Sequence, residues 1–162
     1  MKRILMLTPL VALFSILLIP VAHSDDRQEC RQKRNVSEVA NCIERGIYDP
    51  CDDAGSAWGR GMCVSAHVEV AERRITKAKS DLLKRFEGWK LSDSKRKDFI
   101  TAQEKWQEYR EKYCVASDAL AVYFIDHSQE AIFAMDTNYG FCVRRLSEQH
   151  AAELEFTLSK TR

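Results

Sequence analysis

Beyond the N-terminal segment the chain has one proline, Pro50, no apolar run of membrane length and no useful stretch of strand-type alternation. The missing apolar run excludes a second membrane span, and the missing alternation leaves helices as the expected elements. No two of the six cysteines stand at the short gap of a zinc knuckle. Neither His-Glu-x-x-His nor Gly-x-Ser-x-Gly occurs, and His67, His127 and His150 show no i,i+4 ligand spacing. Charge of one sign is not in excess either: 25 Lys and Arg face 24 Asp and Glu, so the net basic face of a nucleic-acid binder is lacking. These gaps nominate no catalytic residue, no cofactor and no metal site. A binding protein, not an enzyme, is the expectation.

What is present begins with a leader. Lys2 and Arg3 precede an apolar run from Ile4 to Ile19, followed by Pro20-Val21-Ala22-His23-Ser24. A short basic head, an apolar stretch and small residues at −3 and −1 predict a signal peptide over 1–24. The alternative, a membrane anchor, requires a longer run. Arg27-Gln28-Glu29 ahead of Cys30 lacks the small apolar residues of a lipoprotein cleavage site. An exported protein, periplasmic or secreted, with no membrane span after signal removal, is therefore expected. Cys30, Cys42, Cys51, Cys63, Cys114 and Cys142 all lie beyond the leader, and an even number in an exported chain predicts three disulfides. A reactive pair or a metal site is the competing reading. Six cysteines allow fifteen connectivities, so spacing assigns none, although Cys30 and Cys42 are close enough to close on each other.

Pro50 sits in Tyr48-Asp49-Pro50-Cys51-Asp52-Asp53-Ala54-Gly55, a strong turn signal that divides an arm, 25–50, from a body, 51–162. In the arm, Asn35-Val36-Ser37-Glu38 supplies capping residues and Gly46 a stop, predicting one or two short helices. In the body, Val64, Val68, Ala71, Ile75, Ala78 and Leu82 recur at steps of three and four, the mark of one apolar helix face. Gly88 and Ser92-Asp93-Ser94 separate that helix from a second, expected from about Lys95 to Cys114. Its expected core stripe is Phe99, Ala102, Trp106, Tyr109 and Tyr113, with a partner surface as the other reading of the aromatics. A link over 115–127 then leads to a last stripe through Ile132, Met135, Tyr139, Cys142, Leu146, His150, Leu154 and Leu158. The predicted fold is all-α, a small antiparallel helical bundle cross-linked by disulfides. Such a bundle brings Cys51, Cys63, Cys114 and Cys142 toward one end.

The run Ala102-Gln103, Trp106, Tyr109-Arg110 and Cys114 resembles the central motif of the LprI-like lysozyme-inhibitor family. Cys63 with Ala71-Glu72 and Ile75 is similar to that family's first long helix, and Cys142-Val143, Leu146 and Ala152-Glu153-Leu154 to its closing segment. The resemblance spans about Cys51 to Glu155. The sequence departs from the family pattern at Ser147 and His150, where Thr and Arg are common, and at Ser128–Ile132, where the family has a glycine-rich stretch. The resemblance implies an exported, helical, disulfide-bonded protein and, for some members, inhibition of lysozyme. Ala102, Gln103, Trp106, Tyr109 and Arg110 are read as scaffold. Arg110 is expected either to pair with an acid such as Glu72 or to cap loop carbonyls, because a partly buried guanidinium must find partners. Loops on a rigid scaffold commonly carry binding. The candidates for partner contact are therefore Asp49, Asp52, Asp53 and Trp58 in the 48–60 loop and His127 in the 126–130 link, facing a lysozyme-like hydrolase or an exported toxin. An envelope interaction module or immunity protein without lysozyme inhibition is the rival reading.

Overall fold

The structure, a computed structural model, describes residues 22–89, 93–124 and 129–161. Helix α1, Ala22–Gln32, is followed by α2, Val36–Glu44, and by a 3₁₀ turn, Pro50–Asp53. Three long helices complete the chain: α3, Ala57–Gly88, α4, Asp93–Phe124, and α5, Gln129–Lys160. No strand occurs among the described residues. The fold class is the all-α bundle read from the sequence.

Local chemistry explains the short elements. The Asn35 side chain accepts from the Ser37 and Glu38 amides at 2.9 and 3.4 Å and so caps α2. Gly46, at φ +67°, ends it: its amide donates to the Ile43 carbonyl and the Ile47 amide to the Cys42 carbonyl, a Schellman closure. Asp49 accepts from the Cys51 amide at 2.9 Å to start the 3₁₀ turn, with Pro50 supplying a preset φ. Ser56 caps α3 through the Gly59 amide at 3.0 Å.

The apolar stripe of α3 is inward, as read: Val64, Ala71, Ile75, Ala78 and Leu82 are all buried. α3 packs most extensively on α5, where Ala151 and Leu154 join Ile75, Ala78 and Leu82 in the main core, closed by Phe86, Phe99, Trp106 and Leu158. A second cluster seats α2 on α3 through Val39, Met62 and Ala66. At Gly140 α5 comes so close to α3 that an added Cβ would meet Val64 Cγ1 at 2.7 Å.

Two expectations for α4 are corrected. Its helix does not stop at Cys114 but continues to Phe124, because the stretch after Cys114 holds no proline or glycine to end it. Its inward face is also rotated by about one residue. Tyr109 and Tyr113 are 54% and 41% exposed and Ala102 is exposed, whereas Gln103, Arg110 and Cys114 are buried beside half-buried Phe99 and Trp106. The physical cause lies in the polar partners that α3 and α5 present to this face.

All six cysteines are bonded, as expected: Cys30–Cys42, Cys51–Cys63 and Cys114–Cys142. The first ties α1 to α2, the second the 3₁₀ turn to α3, and the third α4 to α5. The two body disulfides do share one end of the bundle. Arg144, two residues beyond Cys142, places Nη1 3.3 and 3.5 Å from the sulfurs of Cys51 and Cys63.

Candidate functional site

Two features stand out, a polar brace inside the bundle and a stapled loop outside it. The brace starts from Arg110 on α4, 6% exposed. Its Nη1 donates to Glu72 of α3 and, at 2.6 Å, to Ser147 Oγ of α5, so one guanidinium joins all three long helices. The guanidinium also lies 5.1 Å from the Trp106 ring centre. Trp106 in turn stacks on His150 at 3.9 Å with planes 13° apart. His150 Nε2 meets Gln103 Oε1 at 2.8 Å; that oxygen only accepts, so the ring donates from Nε2. Burial pushes the His150 pKa below its ordinary value, against the opposing pull of Glu153, whose carboxylate lies 3.7 Å from Nδ1. A neutral ring with its proton on Nε2 is the form this setting holds.

The motif residues thus divide. Gln103, Trp106 and Arg110 are brace members, and the Arg110–Glu72 pairing is the one read from the sequence. Ala102 and Tyr109 face outward, and Tyr109 lies against Tyr113 at 5.6 Å between ring centres. Ser147, noticed in the sequence only as a departure from a family pattern, and His150, read there also as part of the last helix's stripe, complete the brace. Their signal was position: both fall on the inward stripe of α5 although neither is aliphatic.

The loop is held at both ends. Cys51–Cys63 closes it on α3, and Asp49 fastens its start to His67, whose Nε2 lies 3.0 Å from both carboxylate oxygens. His67 Nδ1 faces Glu148 of α5 at 3.5 Å, and Glu148 accepts from Arg144 at 2.8 Å. Partial burial pushes the Asp49 carboxyl up, but the Cys51 amide, His67 and Arg144 outweigh it and leave the pKa below the ordinary value. Asp49, Cys51 and His67 lie close enough to suggest a metal site, yet the Cys51 sulfur is committed to a disulfide and offers no thiolate. Asp49 is therefore part of the fastening.

Asp52 and Asp53 stand on the outer side of this loop, and Trp58, expected in the loop, lies instead in the first turn of α3 because Ser56 caps that helix; it is 51% exposed. They meet cations of the arm. Arg31 makes a two-pronged pair with Asp53 at 2.8 and 2.9 Å, Arg27 lies 3.7 Å from Asp52, and Arg34 sits 4.4 Å over the Trp58 ring. The Arg31 hydrogen bonds hold the Asp53 carboxyl below its usual range. Arg27, Arg31 and Arg34 were not among the sequence candidates; the i, i+4 spacing of Arg27 and Arg31, one helical turn apart, was the available signal, while Arg34 lies past the end of α1. The structure thus brings Asp49, Asp52, Asp53 and Trp58 into one neighbourhood, while His127 lies outside the described residues.

The described residues thus build an all-α bundle that presents a disulfide-stapled, charged loop at its surface. A family model described as the lysozyme inhibitor LprI matches residues 51–154, more than half of the chain. The chain belongs to that family, and membership implies a protein partner. No curated protein and no solved structure matches it. The matched span opens on Cys51 and leaves the arm outside. No helix among the described residues is long and apolar enough to cross a membrane.

Proposed function

We propose that the protein is exported, with 1–24 as a cleaved signal peptide, and inhibits a lysozyme-type or other cell-wall hydrolase in the periplasm or outside the cell. The inhibition is steric. The loop from Tyr48 to Arg60 covers the hydrolase cleft, with Asp52, Asp53 and Trp58 as its contact groups. Membership of an inhibitor family is the observation that carries this reading. The stapling supports it: a loop fixed by Cys51–Cys63 and by the Asp49–His67 contact loses little freedom on binding, so more of the contact energy appears as affinity. Paired carboxylates beside an exposed Trp suit a basic partner, and aromatic anchors with a charged rim are common in tight interfaces.

The test is a titration of purified, fully oxidised protein against lysozyme acting on peptidoglycan. The lytic rate is expected to fall saturably, and Asp52→Asn/Asp53→Asn to weaken the effect about tenfold or more. No inhibition up to roughly 50 μM, well above the micromolar range in which a standard interface binds, would refute the lysozyme reading.

A further inference from the structure

α1 is a helix without an apolar face. Of its residues 25–32 only Cys30 is buried. Beyond the Cys30–Cys42 bond, the side-chain holds of its described residues on the body include Arg27 on Asp52 and Arg31 on Asp53. Arg34, just past its end, takes the face of Trp58. The three exposed groups that suit a partner, Asp52, Asp53 and Trp58, are therefore each occupied by an arginine of the chain's own arm. α2 is different: Val39, Ala40 and Cys42 are buried, and Val39 packs on Met62 and Ala66 of α3. Exposed ion pairs in water are weak and screened by salt, so apart from the Cys30–Cys42 bond, which tethers α1 to α2, only weak contacts hold these arginines on the loop. Where the end of α1 meets the loop and the start of α3 lies a cavity of about 220 Å³ with Arg31, Val39, Tyr48, Pro50, Trp58 and Met62 in its wall, space into which a side chain can be received.

We propose that the surface formed by Asp52 and Asp53 of the loop and Trp58 at the start of α3 is a recognition surface for arginine side chains of a protein partner, and that α1 with Arg34 is a built-in strap which the partner displaces. The arm shows the chemistry the surface accepts: two guanidinium groups one helical turn apart on the carboxylates, and a third stacked on the indole. Intrinsic occupancy of this kind lowers apparent affinity by the fraction of molecules in which the strap is open. The proposal rests on the inhibitor reading only for the identity of the partner.

The experiment compares the oxidised wild-type protein, Arg27→Ala/Arg31→Ala/Arg34→Ala, and Asp52→Asn/Asp53→Asn. Each is titrated with two probes, a tetra-arginine peptide and lysozyme, at low salt. Because the three arginines are exposed, circular dichroism is expected to show all proteins folded. The arginine-free variant should bind tetra-arginine about tenfold more tightly than wild type, the asparagine variant should lose that binding, and added salt should erase the difference. Amide exchange over 51–60 should rise in the arginine-free variant. Equal peptide affinity for wild type and the arginine-free variant overturns the strap, as does unchanged exchange in the loop. Self-association of that variant in sedimentation assigns the surface to a second copy and overturns the arginine-bearing partner. A peptide response without lysozyme inhibition by any variant keeps the strap and removes lysozyme. Equal lysozyme inhibition by all three proteins, with no peptide response, keeps the inhibitor and removes the strap.

Discussion

His150 couples the stability of the bundle to pH. It is 7% exposed, stacked on Trp106 and donating to Gln103. Its folded pKa lies below the ordinary 6.5, so the unfolded chain takes up the proton more readily than the folded one. The stability due to the neutral ring is therefore complete above pH 6.5 and is lost as pH falls through that value toward the folded pKa. Denaturant midpoints measured from neutral to mildly acidic pH are expected to fall for the wild type and to fall less steeply for His150→Phe, which keeps the stack but cannot titrate. Parallel curves would show that the ring is not the group responsible. Arg110 obeys the complementary rule. A guanidinium this buried is tolerable because Glu72 and Ser147 receive it, and removing any one partner leaves a charge or a donor stranded.

At the scale of elements, α5 is the shared wall against which α3 and α4 lean, and Gly140 sets how closely α3 approaches. Gly to Ala inside a helix ordinarily gains about 1 kcal/mol. Here the methyl would collide with Val64, whose β-branched side chain has few rotamers to retreat into. Gly140→Ala is expected to give a net loss of about 1–2 kcal/mol by chemical denaturation, and Val64→Ala placed with it should recover part of that loss. α3 and α5 were legible in the sequence because their inward positions are mostly apolar at steps of three and four, Ser147 and His150 of α5 being the polar exceptions. The capping of α2 by Asn35 and Gly46 was legible for an equally local reason. α4 was read one residue out of register. A hydropathy pattern selects Ala102, Tyr109 and Tyr113 over Gln103 and Arg110, since it has no means to see that Glu72, Ser147 and His150 wait on the other helices. A buried polar group is identified by its partner, and that partner is 38 residues away for Arg110 and Glu72. The strap arginines were missed for the same reason, their acids lying 22 residues distant for Arg31 and Asp53.

The whole molecule is a small core supplemented by covalent bonds. The chain-entropy argument assigns the Cys114–Cys142 loop, with its separation of 28, roughly 3–4 kcal/mol, and each of the loops with a separation of 12 roughly 3 kcal/mol. Cys114→Ala/Cys142→Ala is therefore expected to lower the unfolding free energy by about 3–4 kcal/mol, and a loss below about 1 kcal/mol would show that the brace and core hold α4 against α5 unaided. The order of the bonds has a consequence for how the protein is made. Each cysteine is joined to its immediate successor, first with second, third with fourth, fifth with sixth. A chain threaded out of the cell from its N-terminus presents its thiols in that same order. An oxidase that simply couples each thiol to the next one to emerge reaches the native set directly, with no isomerase needed to undo a wrong pair.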